Sequence, residues 1–184
     1  MNRISISPAT IWITGITASG KTTLGKCLYA GLREKGLKKI EFLDGDELRR
    51  RLDKKYGHSL EDRFKVLYNI VRIVQECHAA GRSTIVSTIS HKKEMREYVR
   101  GQIPKFMEVF LKCAPGVCAD RDYKGHFKRA MAGEYDMFIG VTHSYEPSAN
   151  PELILDTQKN SIAACCTELI EKALVFLQTD ISIK

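Results

Sequence analysis

The chemically most specific run in the chain is Gly15-Ile16-Thr17-Ala18-Ser19-Gly20-Lys21-Thr22, which satisfies G-x-x-x-x-G-K-S/T at each fixed position. It follows a short apolar run, Ile11-Trp12-Ile13-Thr14, and precedes Leu24, Cys27, Leu28, Gly31 and Leu32, which recur at helical spacing. A strand, a glycine-rich turn and a helix in that order are the context in which this pattern binds phosphate. The glycines let the backbone curl around a phosphate chain with its N–H groups turned inward. The helix N-terminus adds partial positive charge. Lys21 would reach the β- and γ-phosphates as a point charge, and the Thr22 hydroxyl would ligate Mg²⁺. Nothing in the loop distinguishes adenine from guanine.

A second constellation is Leu43-Asp44-Gly45-Asp46, at the end of a candidate strand over 39–43. Many phosphate-loop ATPases carry an aspartate after a later strand, but here the run 83–89 leads into Ser90 and His91. Carboxylates after the second strand would lie at the carboxyl edge of the sheet, where open α/β sheets bind ligands. A carboxylate there suits kinase chemistry, because it can orient an incoming hydroxyl and take its proton late. The plainer alternative is a turn in which Asp46 caps a helix. Basic residues could gather on the same cleft: Arg49, Arg50, Arg51 and Arg63, then Arg121, Lys124, Lys128 and Arg129. Planar guanidinium groups suit bidentate binding of phosphate or sulfate.

The elements that must hold these groups are legible as alternating periods. Strands are expected at 11–14, 39–43, 83–89, 106–111 and 153–155. Helices are expected behind the glycine-rich loop, over 60–80 with a stripe of Leu60, Phe64, Leu67, Val71, Val74 and His78, over 91–100, and from Ile162 through Leu177. Near-continuous apolar strands separated by helices predict an α/β fold: a mostly parallel sheet of about five strands covered on both faces. The 184 residues fit one domain over 1–184, with the irregular stretch 113–150 as a lid. With 43% hydrophobic and 28% charged residues the chain is ordinary globular material. No apolar run is long enough to span a bilayer, and the first ten residues lack a signal-peptide pattern, so a cytoplasmic protein is expected. The net charge of +7 favours anionic partners. The six cysteines, Cys27, Cys77, Cys113, Cys118, Cys165 and Cys166, include no Cys-x-x-Cys pair and read as small buried side chains without chemistry.

These residues together resemble the adenylyl-sulfate kinases. The resemblance runs from about residue 10 to 157. It rests on 15–22, on Leu43-Asp44-Gly45-Asp46-Glu47-Leu48-Arg49, on Glu61-Asp62-Arg63 and on Ile89-Ser90. Its more specific part is Arg121-Asp122-Tyr123-Lys124-Gly125-His126-Phe127-Lys128-Arg129-Ala130 with Ala132-Gly133-Glu134, Phe138-Ile139-Gly140-Val141, Tyr145-Glu146-Pro147 and Asn150-Pro151-Glu152. It implies a phosphate-loop NTPase fold and Mg²⁺-dependent transfer of the γ-phosphate of ATP to the 3′-hydroxyl of a nucleotide, usually adenosine 5′-phosphosulfate. Carried over by position, Lys21 and Asp46 would be catalytic. ATP would be bound by Gly15, Ile16, Thr17, Ala18, Ser19, Gly20, Lys21, Thr22, Thr23 and Arg121. The metal would be held by Thr22, and by Asp46 through water. The acceptor would be bound by Asp44, Asp46, Arg49, His58, Arg63, Val66, Ile89, Ser90, Lys124, Gly125 and Phe138, with Arg49 and Arg63 on its anionic 5′ group and Phe138 on its base. The partners implied are a small-molecule nucleotide and a second copy in a homodimer, with no nucleic acid and no membrane.

The departures fall on the acceptor side. The usual Gly-Phe-Ser is Gly57-His58-Ser59. The usual Glu-Asn-Ile-Arg after the Asp-Arg pair is Lys65-Val66-Leu67-Tyr68, so an acceptor-binding asparagine becomes Val66. The usual Ile-Ser-Pro is Ile89-Ser90-His91. In the lid, Asp-Pro-Lys-Gly-Leu-Tyr becomes Asp122-Tyr123-Lys124-Gly125-His126-Phe127. Losing a polar partner for a buried ligand group commonly costs ~1–3 kcal/mol. Several such changes suggest another acceptor, such as cytidine diphosphoramidate, which keeps a ribose 3′-hydroxyl and a two-anion tail. The other readings are a different small-molecule kinase of the same fold and, from another class, a nucleic-acid-binding ATPase.

Overall fold

The computed structural model describes residues 7–52 and 56–178. Five strands form one parallel sheet in the order β2-β3-β1-β4-β5, with β1 Thr10–Thr14, β2 Ile40–Asp44, β3 Ser83–Ser87, β4 Phe106–Lys112 and β5 Leu153–Asp156. The helices are α1 Lys21–Glu34, α2 Gly45–Arg51, α3 Leu60–Ala79, α4 Lys93–Gln102, α5 Pro115–Asp120, α6 His126–Met131 and α7 Ile162–Gln178. Both β1 and β3 are buried along their whole length. Their side chains therefore need no polar face and alternate between two apolar layers. Ile11 and Ile13 pack with Leu24, Leu28 and Leu32 of α1 and Leu169 of α7. Trp12 and Val86 point the other way, onto Val66, Ile70 and Val74 of α3 and Met95 and Val99 of α4. The register Ile11↔Ile85 and Ile11↔Met107 keeps like faces together across three strands.

The expected elements are all present, with shifts at their ends. The third strand stops at Ser87 rather than 89: Thr88 still donates its N–H to the Ile13 carbonyl, but the chain then turns away, with Ser90 at φ 39. The helix expected from 91 begins at Lys93. Leu60, at the head of the predicted apolar stripe, is 39% exposed. The buried face of α3 is instead Val66, Leu67, Ile70, Val71, Val74 and Cys77. The stretch 113–150 holds α5 and α6 and a small core of its own, in which Phe127, Phe138 and Ile139 pack with Ile16 of the glycine-rich loop.

The cysteines correct the sequence reading. Cys27 of α1 and Cys166 of α7 are joined as a disulfide, with Cα atoms 6.2 Å apart, while Cys77, Cys113, Cys118 and Cys165 are free. The pair is 139 residues apart in the chain. No local spacing announces it; the stacking of α1 on α7 over one face of the sheet creates it. No helix among the described residues is long and apolar enough to cross a membrane.

Candidate active site

The loop 15–20 runs from the end of β1 into α1, as its sequence requires. At Gly15 the backbone passes so near the end of β4 that an added Cβ would stand 2.8 Å from Ser19 Oγ and 2.9 Å from the Leu111 carbonyl oxygen. No larger residue fits there. Gly20, at φ 101, precedes α1 without any side-chain cap, so the first N–H groups of a 14-residue helix stay free for an anion. Gly15 and Ile16 lie behind the loop in buried surroundings, whereas Thr17, Ala18, Ser19, Gly20, Lys21, Thr22 and Thr23 line a cleft of about 1290 Å³. That volume exceeds the ~300–1,000 Å³ of ordinary small-molecule pockets and suits two nucleotide-sized ligands. The ammonium of Lys21 donates to the Ile16 carbonyl at 2.6 Å. Desolvation lowers its pKa from 10.5 to about 8, against the opposing pull of Asp46, Cys118 and Asp44. Lys21 is thus a cation without a close carboxylate, arranged for a ligand's negative charge.

The Asp-Gly-Asp corner lies beside the loop, with its two aspartates in different roles. Asp44, not Asp46, caps α2, accepting from the backbone N–H groups of Asp46 at 3.0 Å and Glu47 at 3.2 Å. Its other oxygen accepts from the Thr22 hydroxyl at 2.6 Å. Asp44 is therefore occupied, does not line the cleft, and ties α1 to α2. Gly45 lets the corner sit tightly: a Cβ there would be 2.9 Å from Thr88 Oγ1. The result turns Asp46 into the cleft, exposed and with no side-chain hydrogen bond of its own among those resolved. The Thr22 hydroxyl and the Asp46 carboxylate are the hard oxygen donors on the cleft that suit Mg²⁺. That ion keeps several waters and phosphate oxygens, so it needs no dedicated cage of carboxylates. Accordingly, no cluster of three or more His, Cys, Asp or Glu that could hold a metal occurs among the described residues.

The acceptor half is built by α2, the start of α3 and the turn after β3. Arg49 donates to the carbonyls of Tyr56 and Gly57, and Arg63 donates through Nε to the His58 carbonyl at 3.0 Å. These carbonyl contacts aim both guanidiniums without neutralising them. Burial, and then the charge of Arg49, pushes Arg63 down to about 10. Arg49 is lowered by burial, and His58 by burial and the two arginines. Two desolvated guanidiniums and a lysine near one exposed aspartate give this part of the cleft a net positive character suited to an anionic ligand. Arg50, Arg121 and Lys124 also line the cleft. Arg51 pairs instead with Glu47, and Arg129 with Glu134. Arg121 donates to the Thr157 carbonyl at 2.9 Å, joining the lid to the end of β5. Gly125 does not line the cleft; at φ 70 it starts α6.

The aromatic wall is built from more than the expected Phe138. Phe138 lines the cleft but is 9% exposed, stacked on Tyr135 at 5.7 Å and edge-on to Phe127 at 5.0 Å. Tyr135 is the half-open ring, 6.4 Å from His58 and bonded through its hydroxyl to His126 Nδ1 at 3.0 Å. Sequence reasoning also passed over Thr157, Asn160 and Ser161, which close the cleft behind the loop. The Thr157 hydroxyl donates to the Ser19 carbonyl at 3.0 Å. No spacing rule links residue 157 to residue 19.

Ile89, Ser90 and Val66 line the far end of the cleft, and Ser90 is positioned by a buried ion pair. Arg96 and Glu108 have side chains 3% and 6% exposed and meet at 3.1 Å. Arg96 also donates to the carbonyls of Ser90 and Glu146, each at 2.6 Å. The Ser90 hydroxyl accepts from the Trp12 indole at 3.2 Å. Tyr145 stacks on Phe110 at 5.3 Å and shares a hydrogen bond with Thr14 at 2.9 Å. Tyr-Glu-Pro thus anchors the end of the lid segment to the sheet. Arg96→Ala removes the buried partner of Glu108, leaving it Arg100 at 3.4 Å and the Ser148 hydroxyl, and releases this turn. It should cost about 3–5 kcal/mol in a denaturant melt, while Arg96→Lys costs less; a loss below ~1 kcal/mol would show the pair to be dispensable.

A phosphate-binding loop on a five-stranded parallel sheet, with an aspartate and two guanidiniums across the cleft, defines an ATP-dependent phosphotransferase that acts on an alcohol group. Among solved structures, the sheet and its helices superpose on the Mycobacterium tuberculosis APS kinase CysC in complex with AMPPNP and APS. The TM-score is 0.85 at 32% identity, covering 91% of this chain and 98% of that one. A gluconokinase from Sinorhizobium meliloti shares the fold at TM-score 0.60 and 22% identity, covering 93% of this chain and 92% of that one. More particularly, residues 7–156 match adenylylsulphate kinase, and the chain belongs to that family. It is 42% identical over 166 residues to the adenylyl-sulfate kinase of Microcystis aeruginosa, covering 88% of this chain and 91% of that protein. It is 41% identical over 150 residues to the probable adenylyl-sulfate kinase of Archaeoglobus fulgidus, covering 82% and 96%.

Proposed function

We propose that the chain transfers the γ-phosphate of ATP to the 3′-hydroxyl of a nucleotide whose 5′ tail carries two anionic groups, a phosphosulfate or a diphosphate-like tail. The observation that carries this reading is the meeting of Lys21, Asp46, Arg49 and Arg63 on one cleft large enough for two nucleotides. The loop amides and Lys21 grip the triphosphate of ATP. Thr22 would hold Mg²⁺, with Asp46 on it through water; the ion would supply charge neutralisation for the transferred phosphoryl group. Arg49 and Arg63 hold the acceptor's tail, which leaves its ribose beside Asp46. Asp46 orients the 3′-hydroxyl and receives its proton as the new O–P bond forms and the bond to ADP breaks. The stretch 113–150 acts as a lid, carrying Arg121 and Lys124 over the phosphates and excluding water.

Val66 and His91, which line the cleft where the family pattern has other residues, favour a second candidate, cytidine diphosphoramidate, beside adenosine 5′-phosphosulfate. The test is an acceptor screen with ATP and Mg²⁺, pairing adenosine and cytidine nucleotides of both tail types with free sugars and sugar acids. The product is located by phosphorus NMR. A new 3′-phosphomonoester on a nucleotide is expected. Turnover of a sugar with none of any nucleotide would reverse the assignment in favour of another small-molecule kinase.

A further inference from the structure

One wall of the cleft is formed by His58, His126, Tyr135, Met137 and Phe138. Backbone carbonyls join this wall to the tail-binding arginines: Arg63 donates to the His58 carbonyl at 3.0 Å, and Arg49 to the Gly57 carbonyl. The charges of Arg49, Arg63 and Asp46 all reach the His58 ring. A nucleotide with its tail on the two arginines and its ribose at Asp46 therefore presents its base to this wall. Phe138 offers such a base little surface, because Tyr135 stacks on it at 5.7 Å and Phe127 meets it edge-on at 5.0 Å. The Tyr135 ring is in turn engaged by Phe138 and by the Arg129 guanidinium, 5.0 Å from its centroid. The polar contribution of Tyr135 to the cleft is its hydroxyl. Its hydrogen-bond partner among the described residues is His126 Nδ1, at 3.0 Å, and both side chains are half-buried. We propose that the Tyr135 hydroxyl, set by His126, reads the acceptor base and selects bases that carry an exocyclic amino group, cytosine or adenine, over their keto counterparts.

The selectivity follows from which partner of the pair gives the shared proton. A phenol ordinarily titrates at about 10, whereas a neutral imidazole N–H is a far weaker acid and the bare ring nitrogen a good base. The guanidinium over the Tyr135 ring favours negative charge on the phenol and so pushes in the same direction. The phenol O–H thus donates to His126 Nδ1, and the phenolic oxygen keeps a lone pair for the cleft. The amino group of cytosine or adenine donates to that lone pair. A keto oxygen in the same place sets lone pair against lone pair. The family pattern has leucine at the position of His126, which could not hold the hydroxyl in this role.

The inference rests on the proposed nucleotide 3′-kinase activity and is tested so that the two can fail separately. Adenosine is compared with inosine, and cytidine with uridine, on one and the same 5′ tail, first a phosphosulfate and then a diphosphate. The full-length wild-type chain is used under ATP and Mg²⁺. Within the ring size that is turned over, kcat/KM is expected to be about tenfold or more higher for the amino base. Tyr135→Phe should lower kcat/KM for the amino base about tenfold through KM, affect the keto base less, leave the KM for ATP nearly unchanged and so bring the ratio close to one. His126→Leu should narrow the ratio from the other side: its freed phenol O–H can donate to a keto oxygen, so the keto base gains. Thermal melts check that both variants are folded. A wild-type ratio near one or favouring the keto base, or a ratio unmoved in either folded variant, overturns the role of the Tyr135–His126 pair and leaves the kinase assignment standing. Failure to phosphorylate any of these nucleotides overturns both.

Discussion

Lys21→Ala should lower kcat by about 10²–10³-fold or more while the protein still folds. The ammonium is the one mobile cation inside the loop, and its only resolved hydrogen bond is to the Ile16 carbonyl, so it supports ligand rather than core. Its lowered pKa carries the same message. The folded-state value, about 8, lies below the ordinary 10.5, so the folded protein holds this proton less tightly than the unfolded chain does. The cost of burying the charge is thus fully present below about pH 8 and is relieved as pH rises from there toward 10.5. An alanine or methionine at this position should therefore melt no lower than wild type at neutral pH, and higher if the desolvation cost dominates. ATP binding draws on the same charge. In wild type, calorimetric affinity for ATP should weaken as pH rises past about 8, and the variant should lose that inflection. Near-normal turnover in Lys21→Ala would remove the phosphate-loop assignment altogether.

Asp46→Asn should reduce kcat by about 10²–10⁴-fold with little change in the KM for ATP. The substitution keeps the size of the side chain and removes its charge and proton affinity. It also leaves the corner intact, because the cap of α2 is Asp44. The companion variant Asp44→Asn separates the two aspartates. It keeps a capping oxygen, because Asn caps a helix about as well as Asp, and alters only the charge and the Thr22 contact, so it should cost no more than about 0.5 kcal/mol of stability, with a smaller change in kcat than Asp46→Asn. Single-turnover kinetics and melts on both variants decide the matter. If Asp46→Asn turns over at the wild-type rate while Asp44→Asn is inactive, the acceptor-facing carboxylate has been assigned to the wrong residue.

Much of this was readable in one dimension, for reasons that differ by region. The loop 15–22 and its flanking strand and helix are a local device. Glycine freedom, a helix start and a lysine at set intervals act within a few residues, so their order along the chain is nearly their geometry. The central strands were also legible, because short runs centred on β-branched and aromatic residues, such as Ile11 to Thr14 and Ser83 to Ser87, suit strands buried on both faces. Asp44 and Asp46 were legible as a pair but not as individuals. Choosing which one caps the helix depends on Thr22, 22 residues upstream, offering its hydroxyl to the first aspartate. The packed state of Phe138 was hidden for a similar reason. The resemblance places Phe138 on a base, and only the folded chain shows Tyr135 and Phe127 packed against it.

The amino-acid order alone determined the fold class, the phosphate loop, the basic character of the cleft and the family, because each depends on short-range spacing or on residue type. Tertiary structure decided what depends on segments far apart in the chain. It stacked α1 on α7 and so joined Cys27 to Cys166. It brought Thr157 under Ser19, it seated Arg96 on Glu108 behind Ser90, and it buried His91 with neither ring nitrogen partnered among the described residues. The physical reason is that hydrogen bonding and desolvation act through space over a few ångströms. Chain order alone carries no measure of that distance once more than a turn or two separates the groups.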